Sequence, residues 1–168
     1  MNLLIFHLHD MGRYCSPYGF PMPTPHMQAF AEQDREFIVF CDGDIVPDPG
    51  AAERLVRLLK TEAGVVMATC RQTTQPKGLS FQQKVVGFLQ TPFSQDYLAG
   101  GIYAVKKSEL SQLLQEFGWS GLPPGVTGED CFLDRIVGGD KLRIADCRSF
   151  YEPPDFRDYF KYLACIRW

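Results

Sequence analysis

The chain has 168 residues and a formal net charge of −3, with 45% hydrophobic and 22% charged residues. That balance excludes disordered, collagen-like and low-complexity classes, and a single domain of this length can build its core without staples. With acids in slight excess, no overall basic field exists to gather nucleic acid or anionic lipid.

Leu3–Phe6 reads as a short first strand, and Gly12–Pro25, rich in Gly, Pro and Tyr, as loop. Thr24-Pro25 then opens a short helix to about Gln33, with a cap followed by proline at the first helical position. Phe37–Cys41 is a continuous apolar run bounded by charges. Such a run suits a strand covered on both faces. Asp48-Pro49 is expected to cap a second helix, whose Ala52, Leu55, Val56 and Leu59 fall on one face. Gly64–Thr69 and Gly101–Val105 read as strands, and Ser80–Gln90 as a helix. Ser108 is expected to cap a helix through Phe117, Gly128–Val137 to form another, Leu142–Ala145 a strand, and Asp155–Trp168 a last helix after Pro153-Pro154. Strands alternating with helices predict an α/β sandwich.

Six cysteines, none in a C-x-x-C pair, argue against a zinc ribbon or a thioredoxin motif. Cys41 and Cys70 lie in or beside apolar runs, where a free thiol behaves as a small hydrophobe. Met1–Asp10 lacks the basic start and unbroken apolar stretch of a signal peptide. No apolar run approaches the ~20 residues of a membrane span. A reducing, cytoplasmic setting is the expectation. Phe81, Phe88 and Phe93 are expected to fill the core or meet a partner rather than line an acceptor channel, and Tyr159, Phe160 and Leu163, near the last helix's apolar side, to pack on the sheet or face a membrane or partner.

Asp42-Gly43-Asp44 follows the strongest strand directly. Ligands of open α/β sheets bind at the carboxyl ends of strands. Two carboxylates one residue apart in an extended segment point to the same side, and their hard oxygens suit Mg²⁺ or Mn²⁺. A turn without function is the plain alternative, because Asp and Gly are favoured there. A calcium loop is excluded by Val46 and Pro47. Asp42-Gly43-Asp44-Ile45-Val46 also fits the D-x-D-x-[TV] signature of haloacid-dehalogenase-like phosphatases, in which the first Asp is the nucleophile. Glu129 and Asp130 open an apolar helix. They complement its dipole, and a carboxylate at the rim of a phosphate site can also serve as general base.

The order of segments is more specific than any one of them. Asp42-Gly43-Asp44 is followed by Ala99-Gly100-Gly101, then Gly128-Glu129-Asp130, Tyr151-Glu152-Pro153-Pro154 and Arg167-Trp168. Over about Phe37 to Trp168 this resembles the family 2 glycosyltransferases of GT-A fold, especially their synthase-like members. The resemblance implies a mixed, mainly parallel sheet with flanking helices, in one domain over residues 1–168, of which 1–36 is divergent and 37–168 the catalytic core. It implies transfer of a sugar from a nucleotide-diphosphate sugar to a saccharide, lipid or other hydroxyl acceptor, with inversion and with Mg²⁺ or Mn²⁺. Asp44 would be the main metal ligand with Asp42 beside it. Gly100 and Gly101 would let backbone approach a sugar. Asp130 would be the base, with Glu129 its neighbour. Arg167 would meet the diphosphate, Trp168 would line the acceptor site, and Arg13 would be a further phosphate contact.

Two departures go with the resemblance. Ala164 stands where the family carries Gln or Arg, and only about 36 residues precede the Phe37 strand where the family has a nucleotide-binding half. The expectation is an N-terminally shortened chain. The alternatives are an inactive remnant acting as a binding module and, less favoured, the phosphatase. The expected location is cytoplasmic, with peripheral contact to the inner face of a membrane or to a partner subunit left open, and no nucleic acid.

Overall fold

The computed structural model describes residues 3–8, 30, 34–75, 77–90, 101–121 and 129–165. Its strands are β1 (Leu3–Leu8), β2 (Phe37–Asp42), β3 (Val46–Pro47), β4 (Met67–Thr74), β5 (Ile102–Lys106) and β6 (Leu142–Tyr151). The helices are α1 (Ala51–Thr61), α2 (Phe81–Gln90), α3 (Lys107–Glu116), α4 (Glu129–Val137) and α5 (Phe156–Cys165). One sheet runs in the order β1-β2-β5-β4-β6-β3.

β1, β2, β4 and β6 point the same way, while β5 and β3 run against them. Only β1·β2 and β4·β6 are parallel pairs, so the sheet is less parallel than expected. The cause is β5, which inserts antiparallel between β2 and β4. The alternation of side chains along β2 and β5 builds a core on each face. Ile38, Phe40, Tyr103 and Val105 face Leu110, Leu113 and Leu114 of α3 and Leu133 and Val137 of α4. Phe37, Val39, Cys41, Ile102 and Ala104 face Leu55, Val56 and Leu59 of α1. Burial on both sides explains why β2 is apolar without alternation.

Several local expectations change. Asp48 does not cap α1 with its side chain: the N-cap is Gly50, at φ 74°. The Asp48 carboxylate instead accepts the backbone N–H of Arg148 at 2.9 Å, tying the segment to β6. Ser108 lies inside α3, because β5 runs into that helix without a loop and the Lys107 N–H donates to the Glu36 carbonyl at 2.9 Å. Ser80, by contrast, caps α2 reciprocally. The Gln83 N–H donates to Ser80 Oγ, and the Ser80 N–H donates to Gln83 Oε1, which is a capping box. Phe81 and Phe88 are 79% and 77% exposed, so of their two expected roles these rings do not fill the core, and Phe160, 65% exposed, is not packed on the sheet. Phe93 and the Leu163 side chain lie outside the described residues.

β6 is ten residues long. Its register against β4 shifts between Cys70 and Arg71: Cys70 pairs with Ala145, but Arg71 pairs with Arg148. Asp146 and Cys147 are therefore extra in β6, and such a bulge kinks and twists the strand. The half of β6 beyond the shift carries β3, with Val46 opposite Phe150. Cys147 is disulfide-bonded to Cys70, so Cys70 is not the free small hydrophobe expected of it. Among the described residues no helix is long and apolar enough to cross a membrane.

Candidate functional site

The five buried residues Phe37–Cys41 carry the chain through the core, and Asp42 ends the strand at its carboxyl edge. The Asp42 N–H donates to the Gly101 carbonyl at 2.9 Å, and its own carbonyl accepts the Ile45 N–H at 3.2 Å. These two bonds close a turn that presents Gly43 and Asp44. Asp42 is half-buried with Oδ1 shielded from solvent, and Asp44 is exposed. Ile45 folds back and buries beneath the turn, 8% exposed.

Gly101 makes this possible by its size. A Cβ there would lie 2.9 Å from Ile45 Cδ1, 3.0 Å from Ile45 Cγ1 and 3.1 Å from Gln72 Nε2. The glycine is thus demanded by packing under the turn, a role that sequence alone did not suggest. Its neighbour Gly100 lies outside the described residues.

The turn concentrates negative charge. Cys41, whose thiol donates to the Asp42 carbonyl at 3.5 Å, has its pKa pushed up to about 11. Burial is the main cause, followed by the charges of Asp42 and Asp44. Among the described residues no three His, Cys, Asp or Glu side chains gather as a metal cage. Two carboxylates nevertheless fit Mg²⁺ or Mn²⁺ in a phosphate site, where the ion takes one or two carboxylates and completes its shell with phosphate oxygens and water. Asp44 and Asp42 are the residues that would hold it.

Glu129 and Asp130 form the first turn of α4, with Asp130 half-buried. A four-residue connection, Gly138–Lys141, reverses the chain into β6, whose first residue pairs with Met67 at the start of β4. The opposite end of α4 is one helix length away, about 13 Å. The α4 side chains belong to the α3/α4 face, and α1 covers the other. The Glu129 side chain, Arg13, Arg167 and Trp168 lie outside the described residues.

Two residues that sequence reasoning missed, Arg71 and Arg148, line a cavity of about 270 Å³ with Ile144–Cys147. Each follows a disulfide cysteine, and the repeated Cys-Arg dipeptide was the available signal.

No protein-family model matches the sequence, and no curated protein matches it. Solved structures of glucosyl-3-phosphoglycerate synthase from Mycobacterium tuberculosis do resemble the fold. The complex with phosphoglyceric acid is 20% identical over 80% of this chain and 48% of that one, with a TM-score of 0.50. The complex with Mn²⁺, UDP and glucosyl-3-phosphoglycerate is 18% identical over 83% and 50%, with a TM-score of 0.48. The complex with Mn²⁺, UDP-glucose and phosphoglyceric acid is 20% identical over 80% and 48%, also at 0.48. The chain therefore spans about half the length of these synthases, and at such identity the likeness is one of fold.

Proposed function

We propose that the chain is a glycosyltransferase of the family 2 type, moving a sugar from a nucleotide-diphosphate donor to an acceptor hydroxyl with inversion. The observation that carries the reading is the Asp42-Gly43-Asp44 turn at the carboxyl edge of β2, fixed by two backbone bonds and seated on Gly101. The fold shared with a synthase supports it. UDP-glucose and phosphoglyceric acid, bound in that synthase, are the first donor and acceptor to try.

A divalent cation held by Asp44 and Asp42 would supply positive charge to the leaving diphosphate. Asp44, being exposed, meets the ligand side, and Asp42 is held in place by its backbone bond to Gly101. Asp130 takes the proton of the acceptor hydroxyl as its oxygen attacks the anomeric carbon. Inversion needs one such base and no covalent intermediate. Glu129 precedes it in the chain at the head of α4.

Isothermal titration of the chain with UDP-glucose, with and without Mn²⁺, tests the reading. Metal-dependent binding that Asp44→Asn abolishes is the expected result. Asp130→Asn should keep that binding and lose transfer to a hydroxyl acceptor. Binding of no nucleotide sugar in the presence of Mn²⁺ would refute the assignment.

A further inference from the structure

Had β4 and β6 kept one register past Cys70 and Ala145, Arg71 would face Asp146, an ordinary cross-strand ion pair. The bulge removes that partner and places Arg148 opposite Arg71 instead. Adjacent strands lie about 4.8 Å apart, and like charges directly opposed on them are unfavourable. The arrangement is nonetheless pinned. The disulfide joins Cys70 to Cys147, the residues just before the two arginines. The Arg148 N–H is also fixed by the Asp48 carboxylate.

Arg54 of α1 and Arg143 of β6 spend their donors locally. Arg54 donates to the carbonyls of Asp146 and Pro49, and Arg143 to Glu62. Among the described residues the guanidinium groups of Arg71 and Arg148 have no ion pair or hydrogen bond. Both are exposed, and both line the cavity of about 270 Å³. Among the described residues Asp146 is the only acid in that lining, against two arginines. The volume lies just below the usual range of small-molecule pockets, enough for a phosphate and a few attached carbons.

We propose that Arg71 and Arg148 form a phosphoryl-binding subsite that takes inorganic phosphate or the phosphate monoester of a small molecule, without a metal. Guanidinium forks match tetrahedral oxyanions with two parallel bonds each. A dianion between them turns the repulsion of the empty pair into attraction on both sides. The subsite does not depend on sugar transfer, and the described residues of its lining include neither Asp42 nor Asp44. The phosphoryl group could come from such an independent ligand or from the diphosphate of a nucleotide, and the two differ in metal dependence.

The test is calorimetric titration and thermal melting of the whole chain with inorganic phosphate, against sodium chloride at matched ionic strength and against UDP with Mn²⁺. Saturable phosphate binding without divalent metal is expected. Arg71→Gln or Arg148→Gln should weaken it about tenfold or more, and Asp44→Asn should leave it intact. Each Gln variant, freed of a like-charged neighbour, should melt no lower than the wild type without phosphate and lose the phosphate-induced rise. Equal stabilisation by phosphate and chloride would overturn the proposal, since simple screening would explain it. So would binding that occurs only as UDP with Mn²⁺ and disappears in Asp44→Asn, which would assign the arginines to the donor.

Discussion

Replacing Gly101 by Ala is the most direct probe of how the acidic turn is held. The added methyl would meet Ile45 Cδ1 at 2.9 Å and Cγ1 at 3.0 Å, with Gln72 Nε2 at 3.1 Å. The Ile45 tip can rotate, but Cγ1 is near the backbone and Ile45 is 8% exposed, so there is little room to retreat. Overpacking of this kind costs about 1–3 kcal/mol. For a chain of this size each kcal/mol lowers the melting temperature by about 2–4 °C, giving a fall of about 2–12 °C. The displacement should travel to Asp42 and Asp44 through the Ile45–Asp42 backbone bond, so Mn²⁺ affinity should fall as well. Ile45→Val removes the closer contact and by itself costs about 0.5–1.5 kcal/mol. Because the two sites touch, the double variant should lose less than the sum, by at least about 0.5 kcal/mol. Differential scanning calorimetry of the four proteins gives the cycle directly. An unchanged melting temperature for Gly101→Ala, or strict additivity in the double variant, would refute the packing argument.

Gly87→Ala should also destabilise, although alanine is the better helix former by about 1 kcal/mol. A Cβ there would lie 2.6 Å from Thr74 Cγ2 and 3.0 Å from Pro153 Cγ. Adding Thr74→Ser, which deletes the offending methyl, should recover part of the loss in a denaturant titration. Cys41 should resist iodoacetamide at pH 8 in the folded protein and react once unfolded, as read by peptide mass. Its folded pKa of about 11 exceeds the ordinary 9.0, so the folded state keeps a proton that the unfolded state releases. Below pH 9 the thiol contributes nothing to pH dependence. Between pH 9 and 11 it should remove about 3 kcal/mol of stability, a loss absent in Cys41→Ala. The Cys70–Cys147 bond closes a loop of 77 residues, for which the chain-entropy model gives roughly 4 kcal/mol. Dithiothreitol should lower the melting temperature of the wild type and leave Cys147→Ser unaffected, and non-reducing peptide mapping should recover the two cysteines linked.

What the sequence revealed was what neighbours in the chain decide. Phe37–Cys41 is apolar throughout, so β2 and the acidic turn at its end were visible without a structure. The apolar face of α1, set by Leu55, Val56 and Leu59, was equally plain. Its start was not, because Asp48 has two possible uses for its carboxylate and the distant Arg148 N–H claims it. The antiparallel insertion of β5 was hidden for a similar reason, since a buried apolar strand looks the same in either direction.

The Arg71–Arg148 pair shows the limit most clearly. Each arginine alone reads as an ordinary exposed cation, and in unbroken register Arg71 would meet Asp146. Two extra residues in β6 exchange that acid for a second base, and only the pairing of strands 77 residues apart reveals the exchange. Bulges are kept where they re-aim a side chain. Here the bulge aims two positive groups into one cavity while a disulfide and the Asp48 carboxylate hold them there. If the pair served only to shape the sheet, restoring the acid with Arg148→Asp should simply stabilise the chain. If the pair is a phosphoryl subsite, the same change should stabilise the empty protein and abolish phosphate binding. A variant that gains stability yet still binds phosphate would show that the ligand site lies elsewhere.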